Sequence, residues 1–152
     1  MTKQLLVLAT TDALTNTFNR RHFTEQAEIE QQRCKRENKS SALLMLDLDY
    51  FKSINDNYGH ACGDKVLVKV AKALKLELRQ YDILGRIGGE EFAILLPNTN
   101  KSSALSIAQR IRKSIENLPI KYKKNTLSVT TSVGVAVDVN ADKNLDELFL
   151  EA

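Results

Sequence analysis

Apolar residues along the chain recur at two spacings, helical and alternating, and the switches between them mark out the elements. Residues 41–46 form a continuous apolar run of strand length, the pattern of a central strand covered on both faces. Two more short apolar runs, 82–87 and 92–96, flank Gly88-Gly89. They predict a tight hairpin, because two-residue hairpin turns need positive φ and glycine accepts it without steric cost. Leu67, Val70, Ala71, Leu74 and Leu78 repeat at helical spacing up to about Arg79. Ala104, Ala108, Ile111, Ile115 and Leu118 lay out another amphipathic helix after the turn cluster Pro97-Asn98-Thr99-Asn100.

The remaining segments fit around these. A helix over 19–37 turns Phe23, Ala27 and Ile29 inward, and a short helical segment covers 50–57. Gly59 and Gly63 break the pattern before the next helix. Ile120–Tyr122 and residues 127–137 predict a second hairpin around Lys123-Lys124-Asn125, its longer arm alternating as Val129, Thr131, Val133 and Val135. A last helix begins near Asn144 with Leu145, Leu148 and Phe149 inward. This order predicts an α/β fold, an α+β sandwich with a central mixed, mainly antiparallel sheet flanked by helices. Asp12-Ala13-Leu14-Thr15 is rich in residues that cap free N–H groups before a helix. Residues 1–11 read as a linker, the tail of a helix arriving from an upstream domain, and residues 12–152 as one domain.

Composition narrows the classes. A chain of 152 residues buries about two thirds of its unfolded surface as a single domain. Cys34 and Cys62 stand far apart with no CxxC pair, which excludes a disulfide framework and a zinc ribbon and fits a reducing, cytoplasmic compartment. The net charge of +3 is too small and dispersed for a nucleic-acid surface, while leaving room for a phosphate-bearing small ligand. The apolar stretch 5–9 is too short to span a bilayer, so the chain reads as soluble, with membrane anchoring possible only elsewhere in a parent protein.

The candidate chemistry is carried by acids. Glu90 and Glu91 follow the paired glycines, and Asp47 and Asp49 end the central apolar run. If those strands are neighbours, Asp47 and Glu90 converge on one hard divalent cation, which takes oxygen ligands and shares phosphate oxygens. Asp49 reads equally as a helix cap or as a further metal carboxylate.

These residues resemble the GGDEF domain family, the diguanylate cyclases. The resemblance rests on Asp12-Ala13-Leu14-Thr15 with Asn19-Arg20-Arg21, Asp47-Leu48-Asp49-Tyr50-Phe51-Lys52 with Asn55-Asp56, Gly59-His60 with Gly63-Asp64, Arg86-Ile87-Gly88-Gly89-Glu90-Glu91-Phe92, and Ser132-Val133-Gly134. It implies a palm or nucleotidyl-cyclase type of core in which two GTP molecules on two protomers condense to cyclic di-GMP and pyrophosphate. It further implies Mg²⁺ or Mn²⁺ held by Asp47, the Leu48 carbonyl and Glu90, with Glu91 as a secondary catalytic carboxylate. Gly88, Gly89 and the N–H groups opening the helix at Phe51 and Lys52 would meet the phosphates, and Asn55 and Asp64 would read guanine. His60, next to Gly59, reads as a substrate-site residue and candidate catalytic base or as a structural loop residue. Arg79-x-x-Asp82, with Arg110, matches the family's inhibitory product site. An upstream sensory or receiver domain is the implied partner.

Departures accompany the match. Asn16 and Thr17 stand where the family has Gly-Leu, and the family continues past Ala152 with a Lys, an Arg and a last strand. The sequence therefore leaves open a non-catalytic module that binds GTP or cyclic di-GMP, or another palm-type nucleotide cyclase or polymerase.

Overall fold

A computed structural model describes residues 3–152, so that Met1 and Thr2 of the expected linker lie outside the described residues. The chain opens with helix α1 (Lys3–Thr10), a short strand β1 (Phe18–Asn19) and helix α2 (Arg20–Arg36). Strand β2 (Ser41–Leu48) leads through helices α3 (Phe51–Tyr58) and α4 (His60–Glu77) to strands β3 (Ile83–Arg86) and β4 (Glu91–Leu96). Helix α5 (Lys101–Glu116), strands β5 (Ile120–Tyr122), β6 (Asn125–Leu127) and β7 (Thr131–Asp138), and helix α6 (Leu145–Glu151) complete it.

Among the described residues the main sheet has the order β1-β3-β4-β2-β7, antiparallel except for the β1–β3 pair. The interior strand β2, next to the edge strand β7 and not the middle one as expected, is covered on both faces, as a continuous apolar run demands. Ala42, Leu44, Leu46 and Leu48 pack with Phe92, Ile94 and Leu96 against α4 and α5. Leu43, Ala93, Leu95 and Ala136 face Phe23 and Ala27 of α2 and Leu145 and Leu148 of α6. The architecture is the expected mixed, mainly antiparallel sheet between helical layers.

Several local expectations are corrected. On α2 the buried residues are Phe23, Ala27, Gln31 and Cys34, whereas Ile29 is 58% exposed. Gln31 takes the inward slot because its Nε2 donates to the Lys143 carbonyl at 2.8 Å, which satisfies the buried amide. Gly63 does not break a helix: α4 begins at His60, and Gly59, at φ 91°, alone separates it from α3. The arm expected over 127–137 is two strands. β6 pairs with β5 and β7 with β2, the chain crossing from one sheet to the other between them.

The entry turn also differs from a simple cap. The Asp12 carboxylate accepts from the Thr15 N–H and hydroxyl at 2.9 and 2.7 Å, closing a turn of its own. The N-cap of α2 is Asn19, whose side chain accepts from the His22 N–H and donates to the Ala9 carbonyl at the end of α1. Asn16 sits at φ 58°, a region asparagine tolerates in place of glycine.

Candidate active site

The two acid-bearing segments meet because β2 and β4 are hydrogen-bonded neighbours. Asp47 is directly opposite Glu91 in the register, and the Leu48 N–H donates to the Glu90 carbonyl at 3.2 Å. Side chains alternate along a strand, so Asp47 and Glu91 belong to the same sheet face, that of Leu43, Met45, Ala93 and Leu95. Glu90 lies one residue earlier, in the turn. The register thus makes Glu91, not Glu90, the cross-strand partner of Asp47, and no cluster of three His, Cys, Asp or Glu side chains suited to a metal occurs among the described residues. A cavity of about 600 Å³ opens on this face, bordered by Arg20, Thr24, Ile87, Glu91 and Phe149.

The Gly-Gly turn is wider than a two-residue hairpin. Residues 87–90 connect β3 to β4, and neither glycine has positive φ. Their value here is spatial. A Cβ on Gly88 would stand 2.6 Å from Glu91 Oε1, so the missing methyl makes room for that carboxylate. A Cβ on Gly89 would meet nothing within 4 Å, which leaves its backbone open to a close-approaching group.

Arg86 holds this turn in shape. Its Nε and one terminal nitrogen donate to the Gly89 carbonyl at 3.1 and 2.8 Å, and the other terminal nitrogen reaches Asp12 Oδ1 and Oδ2 at 3.3 and 3.2 Å. Burial works to raise the Asp12 pKa, but the Thr15 bonds and the Arg86 guanidinium outweigh it and hold that carboxyl below its usual range.

Facing α3 and α4 bring the nucleobase candidates together. A Cβ on Gly63 would overlap Asn55 Oδ1, so the helix surface is hollow where the amide lies. Asn55 Oδ1 is buried and has no partner, an unsatisfied acceptor in a protein that satisfies most others. Asp64 is exposed on the next position of α4, and His60 is exposed at its first. Phe51 is 9% exposed and belongs to the core, so only its backbone faces a ligand, while Lys52 is exposed beside it.

The Arg79 motif is closed on itself. Its guanidinium donates to both Asp82 oxygens, from Nε at 3.3 and 3.1 Å and from a terminal nitrogen at 2.9 Å, and to Thr99 Oγ1 at 2.8 Å, and it lies 4.7 Å from the Tyr81 ring centroid. The hydrogen bond to Asp82 raises the Arg79 pKa. Arg110 is not in that group: it caps the end of α4 through Glu77 Oε2 and the Glu77 carbonyl, both at 2.7 Å.

Sequence reasoning did not single out Thr130, and it used Thr131 and Ser132 only as strand residues. Thr130 Oγ1 and Ser132 Oγ donate to Asp49 Oδ2 and Oδ1 at 2.8 and 2.7 Å, and Thr131 Oγ1 donates to the Asp47 carbonyl at 3.0 Å. The only signal was a run of three hydroxyl residues at the head of an alternating strand. Asp49 is not an N-cap; that position of α3 is Tyr50, which makes no side-chain cap.

The chain belongs to the GGDEF family: it matches "Diguanylate cyclase, GGDEF domain" over residues 9–152. It is 41% identical over 152 residues to Diguanylate cyclase A of Treponema denticola, covering 95% of this chain and 40% of that protein. Among solved structures it resembles diguanylate cyclase SiaD of Pseudomonas aeruginosa, solved in complex with its activator SiaC, with TM-score 0.89 and 40% identity over 98% of this chain and 58% of that one. It also resembles DgcB of Caulobacter crescentus in complex with c-di-GMP, with TM-score 0.90 and 26% identity over 97% of this chain and 78% of that one. The chain spans less than half the length of the curated relatives it matches.

Proposed function

We propose that this domain condenses two GTP molecules into cyclic di-GMP with release of two pyrophosphates. The observation that carries the reading is the β2–β4 register, which sets Asp47 directly opposite Glu91 at the end of the Gly-Gly turn. In each half-reaction a 3′-oxygen bonds to the α-phosphorus of the other GTP, its proton leaves, and the bond from that phosphorus to the pyrophosphate oxygen breaks.

The residues fit a hard divalent cation, Mg²⁺ or Mn²⁺: Asp47 is an exposed carboxylate, the Leu48 carbonyl follows it, and Glu90 supplies a second acid from the turn. Bound there, the cation would supply charge neutralisation for the α-phosphate and the leaving group. Glu91, sharing the Asp47 face, adds negative charge near the attacking hydroxyl. Gly88 and Gly89 let backbone approach the phosphates, and the opening N–H groups of α3 at Phe51 and Lys52 favour an anion.

Guanine is selected between α3 and α4. The Asn55 amide, whose buried oxygen has no partner, would turn to the base, and Asp64 would accept its N1–H and N2–H, donors that adenine lacks as a pair. His60 stands close by on α4 without an assigned proton transfer. Because one protomer presents one set of these groups, turnover requires two domains face to face. Residues 1–11 would join the domain to an upstream regulator such as a sensory or receiver domain.

Product feedback extends the reading. Arg79 would exchange Asp82 for a phosphate of cyclic di-GMP, freeing Asp82 for a guanine edge, with Arg110 exchanging Glu77 in the same way. Since both forks are satisfied without ligand, the product must displace existing ion pairs, and inhibition should be weak at low product concentration.

The test is incubation of the intact protein with GTP and Mg²⁺ or Mn²⁺, with chromatographic detection of the cyclic dinucleotide. Product formation that Asp47→Ala and Glu90→Ala each abolish supports the reading. Binding of cyclic di-GMP by calorimetry, lost in Arg79→Ala, with no turnover under any condition would replace it by a receptor function.

A further inference from the structure

We propose that Asp49 is a positioning residue, and not a metal ligand, clasped by the Thr130 and Ser132 hydroxyls so that the turn between Asp47 and α3 keeps one shape. The proposal rests on the cyclase reading for what that turn holds, and on geometry for the clasp itself.

Both carboxylate oxygens of Asp49 are engaged, one by Thr130 Oγ1 at 2.8 Å and the other by Ser132 Oγ at 2.7 Å. The Asp49 N–H donates to the Thr130 carbonyl at 2.9 Å, so side chain and backbone are tied to the same three-residue span, Thr130 to Ser132. Thr131, between the two hydroxyls, binds the Asp47 carbonyl at 3.0 Å. Three successive residues of one segment therefore grip Asp47 and Asp49 of the other. Ser132 is also the register partner of Asp47, which places the clasp beside that carboxylate.

The turn needs such a grip. Tyr50 stands at φ 57° and ψ 29°, a region that disfavours any residue with a Cβ and persists only where the surroundings impose it. Its own side chain is 85% exposed, so ring packing does not impose it. What remains is Asp49, the residue immediately before. With both oxygens accepting hydroxyl protons, its carboxylate is held against the Thr130–Ser132 segment.

The experiment is amide hydrogen exchange over residues 49–53 of the intact protein, together with retention of Mn²⁺ in the presence of 3′-deoxy-GTP, which lacks the attacking hydroxyl. Thr130→Val and Ser132→Ala should each speed exchange about tenfold to a hundredfold, the range expected for one lost hydrogen bond to a charged group. Asp49→Asn should keep Mn²⁺ retention within about twofold of the unsubstituted protein, since an amide and two rotatable hydroxyls can restore the clasp with one bond reversed. Asp47→Ala should lose it. Retention lost in Asp49→Asn as fully as in Asp47→Ala would make Asp49 a ligand and overturn the proposal, as would unchanged exchange in Ser132→Ala. If the unsubstituted protein makes no cyclic dinucleotide, the cyclase reading fails while the exchange result still decides the clasp.

Discussion

A methyl group at Gly63 would occupy the space that the Asn55 amide fills and approach Phe51 Cζ to 3.2 Å. Gly63→Ala therefore has to turn Asn55 away from α4, and we expect a KM for GTP raised about tenfold with a smaller change in kcat, measured by steady-state kinetics. Asn55→Ala should lower the preference for GTP over ATP, read from the two kcat/KM values. Asp12 supplies the pH prediction. Its folded pKa lies below the 3.8 of the free side chain, so its stabilisation is fully present above that value and fades as pH falls through the lowered one. Asp12→Asn should cost about 1.5–3 kcal/mol at pH 7, the range for hydrogen bonds to a charged group, and less at pH 3. Urea unfolding midpoints of both proteins at the two pH values check this.

At the scale of elements, the Arg86 guanidinium joins parts that are distant in sequence, the Asp12 turn that follows α1 and the Gly89 carbonyl that precedes β4. Arg86→Ala should lower kcat by more than tenfold while the circular dichroism spectrum stays unchanged, because the sheet keeps its register and only the turn is released. Arg86→Lys should recover part of the rate, since a lysine reaches one of the two partners but not both.

These joints also show what the sequence could and could not reveal. The strands at 41–46 and 92–96 were legible because burial on both faces leaves an unbroken apolar run. The split between β6 and β7 was not, since Ser128-Val129-Thr130 contains no glycine or proline and the chain leaves one sheet for the other under tertiary control. Gly63 looked like punctuation because a helical glycine is costly, yet the hollow it makes is filled by Asn55. Ile29 was assigned inward on hydropathy, but Gln31 holds that slot through a bond to a residue more than a hundred positions away. That the acids at the ends of the two apolar runs come together was legible, and which of them faces Asp47 was not, because the turn between β3 and β4 is longer than the two-residue form.

For the whole molecule, the two core layers share one sheet, so truncating a central side chain loosens everything at once. Leu44 is fully buried on β2 against α4 and α5, and Leu44→Ala should cost about 2–5 kcal/mol by denaturant unfolding. If catalysis needs two domains, specific activity should rise with protein concentration below the dimerisation constant and level off above it, a dependence that a monomeric enzyme lacks.

Strand β2 is hydrogen-bonded along its length to β4 on one side and β7 on the other, and Asp47 belongs to both ladders. Its backbone cannot detach by fraying from an edge; it is freed only when both neighbours let go. Loss of turnover in rising denaturant should therefore track loss of the fold itself, the two curves sharing one midpoint, with the amides of residues 42–47 the last to trade their protons for deuterium.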